Sequence, residues 1–126
     1  MNETKAIMTT EVITVGRRTP IYEALEILLE NDITDISVVN DNITLVGIIT
    51  EKDILKLLSV LENDSAIVED FMTKVVVSFD QEEVLIAICE CLIRNNFRSI
   101  PIASQGKLAG ILSRKDIIRY IIDPIG

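Results

Sequence analysis

Histidine and tryptophan are absent from this 126-residue chain, and cysteine occurs only twice. Without histidine the chain has no imidazole base and no His-Cys metal motif. Cys89 and Cys91 are two positions apart, which on a helix points them to different faces, so we expect them to be core or edge residues in a reducing compartment. No cysteine has a base partner and no carboxylate pair has a reason to be perturbed, so an enzyme is not predicted and a metal site is not expected.

Positive charge and long apolar runs are also scarce. The formal net charge is −8, which argues against nucleic acid as the main partner because phosphate backbones need a basic face. No apolar run approaches the roughly 20 residues of a membrane span. No signal peptide pattern precedes the first repeat described below, so we expect a cytoplasmic location and no membrane span.

Aromatic residues make up only 4% of the chain, whereas hydrophobic residues make up 48%. The apolar mass is therefore isoleucine, leucine and valine, which favours strands with short helices. The length suits one compact globule or two very small ones. A half of about 60 residues buries a modest fraction of its surface, so the two halves are expected to share a core.

The chain repeats itself once. The letters KAIMT from Lys5 return as DFMT from Asp70, and GIITEKDI from Gly47 returns as GILSRKDI from Gly110. The two offsets are 64 and 63 positions. Two copies are too few for a solenoid, which needs at least about 3 units. We predict two copies of one supersecondary unit, with any site at the interface between them.

Each half is predicted to fold as β-α-β-β-α from its β-branched runs, helix caps and turn residues. The first half is predicted to contain strand 11–15, a helix begun by Thr19-Pro20 and ended by Asn31-Asp32, strands 36–39 and 45–49, and a helix begun by Thr50. The second half is predicted to begin with strand 75–77 and a helix that is capped by Asp80 or Glu83 and ended by Asn95-Asn96. Strand 100–102 follows, with Pro101 at a sheet edge or at the start of the strand. Strand 108–112 and helix 117–122 complete this half. The predicted boundaries are repeat one at 1–61, a linker at 62–67 and repeat two at 68–126.

This organisation resembles the CBS domain, the module named after cystathionine β-synthase. The resemblance rests on the element order, the Met-Thr pair before the first strand, and the Gly-φ-φ-Thr/Ser-x-x-Asp motif after the third. The two repeats in tandem, which cover Lys5 to Ile122, resemble a CBS pair, also called a Bateman module. The resemblance implies an α+β fold of two repeats packed with pseudo-twofold symmetry, two clefts between them, and AMP, ADP, ATP or S-adenosylmethionine as the ligand.

The two copies of the Thr/Ser-x-x-Asp motif support two interpretations. Thr50 with Asp53, and Ser113 with Asp116, have the spacing of a capping box, in which each side chain satisfies a backbone amide of the helix start. A carboxylate can also accept both vicinal hydroxyls of a ribose. Both interpretations can hold together.

The resemblance also implies the residues of each cleft. Cleft one would combine Thr50, Lys52 and Asp53 with Val75, Val77, Phe97, Arg98 and Ser99. Cleft two would combine Ser113, Lys115 and Asp116 with Glu11, Ile13, Ile33, Thr34 and Asp35.

The two clefts differ in charge. Arg98 and Lys52 would offer cations to a phosphate in cleft one, unless Arg98 is only a solvated surface residue. Cleft two would place Asp35 where cleft one has Ser99, with Lys115 and Arg114 as its cations. Repulsion of an anionic ligand there is about 1 kcal/mol or more per close charge. We therefore predict that cleft one is the nucleotide site, and that cleft two is empty or takes a less anionic ligand.

Two further features concern packing. Gly47 and Gly110 lie in apolar strands, where glycine indicates either close packing between the repeats or room for a base. The apolar helix residues are Ile54, Leu57, Leu58, Leu61, Ile117, Ile118, Ile121 and Ile122. They predict an interface, which in a CBS pair is a homodimer face.

Two functions remain from the sequence. One is a regulatory module that binds an adenosyl ligand and signals by a conformational shift to an effector protein in trans, since the chain carries no effector domain of its own. The other is a structural or dimerisation module with no nucleotide ligand, in which Asp53 and Asp116 act only as caps.

Overall fold

The structure is a computed structural model that describes residues 3–59 and 65–124. It confirms a mixed fold of helices and strands in which each repeat contributes one three-stranded sheet. The chain divides into two compact units. The first unit is Ile13–Val76, and the second combines Met1–Val12 with Val77–Gly126.

The first unit is built on strands β1 (Thr14–Val15), β2 (Ile36–Val39) and β3 (Leu45–Ile49). β1 runs parallel to the central strand β2, and β2 pairs antiparallel with β3 as the predicted hairpin. Helix α2 (Ile21–Asn31) connects β1 to β2, and helix α3 (Glu51–Leu55) follows β3 directly. A short 3₁₀ turn over Lys56–Ser59 extends α3.

The second unit repeats this order with longer strands. Its strands are β4 (Phe79–Asp80), β5 (Ser99–Ser104) and β6 (Lys107–Ser113), and its helices are α4 (Leu85–Asn95) and α5 (Arg114–Ile122). β4 is parallel to the central β5, and β5 and β6 form an antiparallel hairpin. The unit also contains a short helix, α1 (Glu3–Ile7), from the start of the chain.

Among the described residues each unit has its own buried cluster, where the sequence predicted one shared core. The first cluster joins Ile36, Val38 and Ile49 of the sheet to Ile21 and Ala24 of α2. The second joins strands β5 and β6 to α4 and is formed by Ile88, Cys91, Leu92, Ile100, Ile102 and Leu112. In α4 it is Cys91 rather than Cys89 that is fully buried, because Cys91 is three residues from Ile88 and shares its face.

The compact units do not coincide with the sequence repeats. The Met-Thr segment that precedes β1 lies in the second unit, and the Met-Thr segment that precedes β4 lies in the first. Each segment pairs with the outer edge of a third strand, Thr9 with Ile111 and Thr73 with Ile48. Each sheet edge is therefore closed by chain from the other repeat.

Three strand predictions need correction. The prediction of a strand over Val75–Val77 is wrong, because the second unit's first strand is Phe79–Asp80 and Val75 is 87% exposed. β1 is also shorter than the predicted 11–15. Pro101 lies inside the central strand β5 rather than at an edge. Proline has no backbone N–H to donate to a neighbouring strand. It is accommodated here because β4 pairs with Ile102 and Ala103 of β5 and does not extend to Pro101.

The helix ends are as predicted, but three predicted starts are not. The last helix, α5, begins at Arg114 rather than at Ile117, and α2 and α4 lack their predicted caps. Asp32 and Asn96 adopt the left-handed conformation that ends α2 and α4. The N-cap of α2 is Pro20 and that of α4 is Val84, and neither provides a side-chain cap. The predicted caps bond elsewhere: Thr19 accepts from the Gly16 amide, Asp80 from the Glu82 amide and Glu83 from the Val84 amide.

Replacing Ser37 with alanine should increase the free energy of unfolding by about 1 kcal/mol. Ser37 is 0% exposed in the central strand β2, and its hydroxyl has no hydrogen-bond partner within the described part of the chain. An unpaired buried hydroxyl carries an uncompensated desolvation cost, which alanine removes.

Urea denaturation of both proteins measures this change. Ser104→Ala is the matched control, because Ser104 Oγ accepts a 3.1 Å hydrogen bond from Gln81 and its loss should lower stability. A fall in stability for Ser37→Ala would show that its hydroxyl is satisfied.

Candidate functional site

The start of helix α3 is the first candidate site. Thr50 has an extended backbone and is the N-cap, its Oγ1 accepting from the Asp53 amide, so the predicted capping box is confirmed. Asp53 Oδ2 in turn accepts from the amide and from the hydroxyl of Thr50, both at 2.9 Å. The carboxylate is thus fixed against the helix start, and the residue is only 3% exposed.

A third donor reaches Asp53 from the Met-Thr segment of the same unit. Thr73 Oγ1 lies 3.2 Å from Oδ1 and 3.1 Å from Oδ2 of Asp53. The backbone of Thr73 is held by two hydrogen bonds to Ile48 in β3, of 2.8 and 3.0 Å. Among the residues that the structure describes, Oδ2 therefore has three donors, whereas Oδ1 has Thr73 and the Lys56 ammonium 3.7 Å away. Oδ1 is the atom with acceptor capacity left for a ligand hydroxyl.

The start of helix α5 repeats this arrangement in the second unit. Ser113 caps α5, and Asp116 Oδ2 accepts from the Ser113 amide at 2.8 Å and hydroxyl at 2.9 Å. Thr9 replaces Thr73, donating to Asp116 Oδ1 at 3.4 Å. Arg119 corresponds to Lys56 but lies closer to its carboxylate: its guanidinium donates to Asp116 Oδ1 at 3.2 Å, whereas the Lys56 ammonium is 3.7 Å from Asp53 Oδ1. Asp116 is 7% exposed, and its second oxygen is more fully occupied than that of Asp53.

The two strand glycines serve close packing. A Cβ on Gly47 would lie 2.6 Å from the Met72 sulfur, and a Cβ on Gly110 would lie 2.7 Å from the Thr9 carbonyl oxygen. In both units, therefore, the glycine gives space to the Met-Thr segment of that unit. Of the two interpretations left open by the sequence, the structure supports packing, and it explains why Met-Thr and glycine recur together.

Each predicted cleft draws residues from both units. For cleft one, Thr50, Lys52, Asp53 and Val75 lie in the first unit, and Val77, Phe97, Arg98 and Ser99 lie in the second. For cleft two, Ser113, Lys115, Asp116 and Glu11 lie in the second unit, and Ile13, Ile33, Thr34 and Asp35 lie in the first. Within each unit the structure brings the carboxylate and its capping residue together. That residues of both units combine in one cleft stays a prediction.

The hydrogen bonds of the Arg114 side chain differ from the sequence prediction. It was expected to be a cation of cleft two, but its Nε donates to the Phe97 carbonyl at 2.6 Å and its Nη2 to Asn96 Oδ1 at 2.9 Å. Its side chain is therefore committed to the turn between α4 and β5. A basic residue at the first helical position gives no sign of this contact, because its partners are 17 and 18 residues away.

The surroundings of Cys89 do not activate its thiol. Burial is the largest cause that raises the pKa of the Cys89 thiol, and the carboxylates of Glu3 and Glu90 raise it further. A raised pKa keeps the thiol protonated and unreactive at neutral pH. Within 3–59 and 65–124 the structure brings together no group of three or more His, Cys, Asp or Glu side chains suited to a metal ion. None of the described helices is long and apolar enough to cross a membrane.

Comparison with known proteins gives a consistent family match. A sequence model of the CBS domain matches residues 5–60 and again 68–123. An uncharacterised protein of Methanocaldococcus jannaschii is 31% identical over 117 residues, which are 93% of this chain and 42% of that protein. The chain thus spans less than half the length of this relative.

Two solved structures share both the fold and more than a quarter of the sequence. CBSX2, a CBS-pair protein of Arabidopsis thaliana solved in complex with AMP, has a TM-score of 0.88 and 29% identity, with 97% of each chain covered. The CBS domain pair of protein MJ0100, solved with 5′-methylthioadenosine and S-adenosyl-L-methionine, has a TM-score of 0.80 and 28% identity, with 94% of each chain covered.

Proposed function

Because this chain belongs to the CBS domain family and carries two such domains, we propose that it is a regulatory module that binds an adenosyl ligand through Asp53. The ligand class is AMP, ADP, ATP or S-adenosylmethionine, and AMP is the favoured member. The role is recognition and signalling rather than catalysis.

The observation that carries this proposal is the geometry at Asp53. The carboxylate is buried and fixed by its cap, yet Oδ1 keeps acceptor capacity. Accepting hydroxyls from a ribose needs a pre-positioned carboxylate, because charge-assisted hydrogen bonds depend on geometry. A cap alone needs only Oδ2, which already accepts from the Thr50 amide.

The comparisons support the ligand class. CBSX2 binds AMP, and the MJ0100 pair binds 5′-methylthioadenosine and S-adenosyl-L-methionine. All three molecules contain adenosine, so a ribose carrying both hydroxyls is common to them. The Thr50–Asp53 pair has the chemistry to recognise that shared part.

Charge favours the Asp53 site over the Asp116 site for a phosphate-bearing ligand. Lys52 follows Thr50 closely, and Arg98 is the cation that the predicted cleft one would add. Around Asp116, Lys115 corresponds to Lys52, but the predicted cleft two would add the anionic Asp35 where the predicted cleft one has Ser99. We propose one nucleotide per chain at Asp53, with the Asp116 site empty or holding a less anionic adenosyl compound.

Signalling would pass through a second copy of the chain and an effector protein. Ile118, Ile121 and Ile122 of α5 are exposed, with Ile121 at 70%, which is unusual for a helix that stays in water. We propose that this face forms a homodimer in the cytoplasm and that ligand binding biases its geometry. Leu57, in the 3₁₀ turn after α3, was predicted for the same kind of face but is instead buried in its own unit. Leu61 lies outside the described residues, as does the side chain of Leu58.

A second candidate function is a structural module without a nucleotide ligand. It is favoured by one observation: both carboxylates already accept hydrogen bonds from a helix cap and from a threonine hydroxyl. In that case replacing Asp53 and replacing Asp116 would have the same effects on the protein.

A thermal-shift panel tests the proposed function. AMP, ADP, ATP, S-adenosylmethionine, GTP and NAD are each added at millimolar concentration. A ligand at 100 times its Kd adds about 2.7 kcal/mol, so we expect the midpoint to rise by several degrees with adenosyl ligands. GTP should give no comparable shift. A flat panel would contradict the proposal and favour the structural module.

A further inference from the structure

The carboxylate of Asp116 has a hydrogen-bond donor for each of its acceptor positions. Its Oδ2 accepts from the Ser113 amide at 2.8 Å and from the Ser113 hydroxyl at 2.9 Å. Its Oδ1 accepts from the Thr9 hydroxyl at 3.4 Å and from the Arg119 guanidinium at 3.2 Å. A carboxylate offers about four lone-pair positions, shared between its two oxygens. These donors, all within the second unit, therefore fill the positions that a ligand hydroxyl would use, unless one of them moves.

Asp53 has similar surroundings with one donor fewer. Within the described part of the chain, its hydrogen-bond donors are the Thr50 amide, the Thr50 hydroxyl and the Thr73 hydroxyl, which both carboxylate oxygens share. Lys56 follows its carboxylate at the same spacing as Arg119, but its ammonium is 3.7 Å from Oδ1, which is beyond hydrogen-bond distance. Oδ1 of Asp53 therefore keeps an acceptor position that Oδ1 of Asp116 does not.

The length of the helix and the shape of the cation explain this difference. α5 continues to Ile122, so Arg119 lies inside a regular helix on the same face as Asp116. α3 ends at Leu55, and Lys56 begins the 3₁₀ turn that follows. A guanidinium presents its N–H donors in a planar fork that fits a carboxylate, whereas an ammonium is a compact point charge. Arg119 thus donates to its carboxylate, and Lys56 is a more distant counter-ion.

We propose that Arg119 is a specificity-determining residue, which occupies the acceptor position of Asp116 that a ribose hydroxyl needs and so directs adenosyl ligands to Asp53. This inference rests on the proposed function and explains its preference for one of two similar carboxylates. The Arg119 side chain is 71% exposed, so moving it costs less than breaking a buried ion pair. The consequence is a weakened second site rather than a closed one.

Calorimetric titration of the full chain with adenosine tests this role. Adenosine has the ribose but no phosphate, so the loss of a positive charge has little direct effect on its binding. Arg119→Ala should raise the affinity of the weaker, second site about three- to tenfold, because the ribose hydroxyl no longer competes with the guanidinium. The Kd of the Asp53 site should stay within about twofold of the wild-type value.

Lys56→Ala is the matched control, because it removes a similarly exposed cation at the same spacing from Asp53. Its adenosine binding should stay within about twofold of the wild type, since the Lys56 ammonium fills no acceptor position. 2′,3′-Dideoxyadenosine lacks both ribose hydroxyls, so it should gain nothing from Arg119→Ala. An equal gain with the dideoxy compound would mean that Arg119 acts on another part of the ligand, and it overturns the inference.

The two proposals fail in different ways. If the wild type binds neither AMP nor adenosine, the proposed function fails and the inference fails with it. If the wild type binds AMP and Arg119→Ala gains no affinity for a second adenosine, only the inference fails. Two adenosine sites of equal affinity in the wild type would also overturn it, because Arg119 would then not distinguish the two carboxylates. Thermal unfolding of each variant, run first, confirms that the proteins compared are folded.

Discussion

Gly110→Ala is expected to lower the free energy of unfolding by about 3 kcal/mol. Its Cβ would lie 2.7 Å from the Thr9 carbonyl oxygen. That oxygen is a backbone atom held by the Ile111 amide at 2.9 Å, while the Thr9 amide bonds back to Ile111 at 2.8 Å. Relieving the overlap would break this pair of hydrogen bonds and release the Met-Thr segment from β6. The loss outweighs the gain of about 0.4–1 kcal/mol that glycine replacement can bring through the unfolded state.

Gly47→Ala is the matched comparison, and its cost should be smaller, about 1–2 kcal/mol. The nearest atom to its new Cβ is the Met72 sulfur, at 2.6 Å, at the far end of a flexible side chain, and the Thr73 carbonyl is farther away at 3.1 Å. Adding Met72→Ala to Gly47→Ala should recover part of that cost. Urea denaturation of the three variants and the wild type measures these differences, and equal stability of Gly110→Ala and the wild type would refute the packing described for the Met-Thr segment.

The second large effect concerns the ligand. Asp53→Ala is expected to weaken AMP binding about tenfold to a hundredfold, because the charge-assisted hydrogen bond that Oδ1 would accept from the ribose is lost. The same change should lower the free energy of unfolding by about 2 kcal/mol, since it removes the cap and leaves Thr50 and Thr73 without their acceptor. Calorimetric titration with AMP and urea denaturation report the two effects separately.

Asp116→Ala is the control for this prediction. It removes an equivalent cap on α5, so its effect on stability should be of similar size. Its effect on AMP binding should be within about twofold, because the proposed nucleotide site is at Asp53. If the two variants lose AMP binding equally, the preference for the Asp53 site is wrong. If neither loses it, the ribose assignment itself is wrong.

Local sequence signals were sufficient for much of the fold. The Asn-Asp and Asn-Asn pairs ended α2 and α4 as predicted, because such residues adopt the left-handed conformation at low cost. The two hairpins followed from apolar runs around short polar turns. The capping boxes at Thr50 and Ser113 were predicted from four-residue motifs, since all of their atoms lie within one turn of helix.

What the sequence did not predict depends on distant partners. Thr9 reaches Asp116 across 107 positions, and Arg114 reaches Phe97 across 17. The valine run 75–77 has strong β propensity, yet the strand that forms is Phe79–Asp80, which pairs in parallel with the edge of β5 that β6 does not cover. The exchange of Met-Thr segments between the units likewise depends on long-range pairing that no local window contains.

A crystal structure of the chain grown with AMP is the most direct test of the central claim. The account predicts AMP with a ribose hydroxyl at about 2.7 Å from an Asp53 carboxylate oxygen. It also predicts that the phosphate lies against Arg98. AMP bound with its ribose away from Asp53, or no AMP in crystals grown at millimolar concentration, would contradict the account.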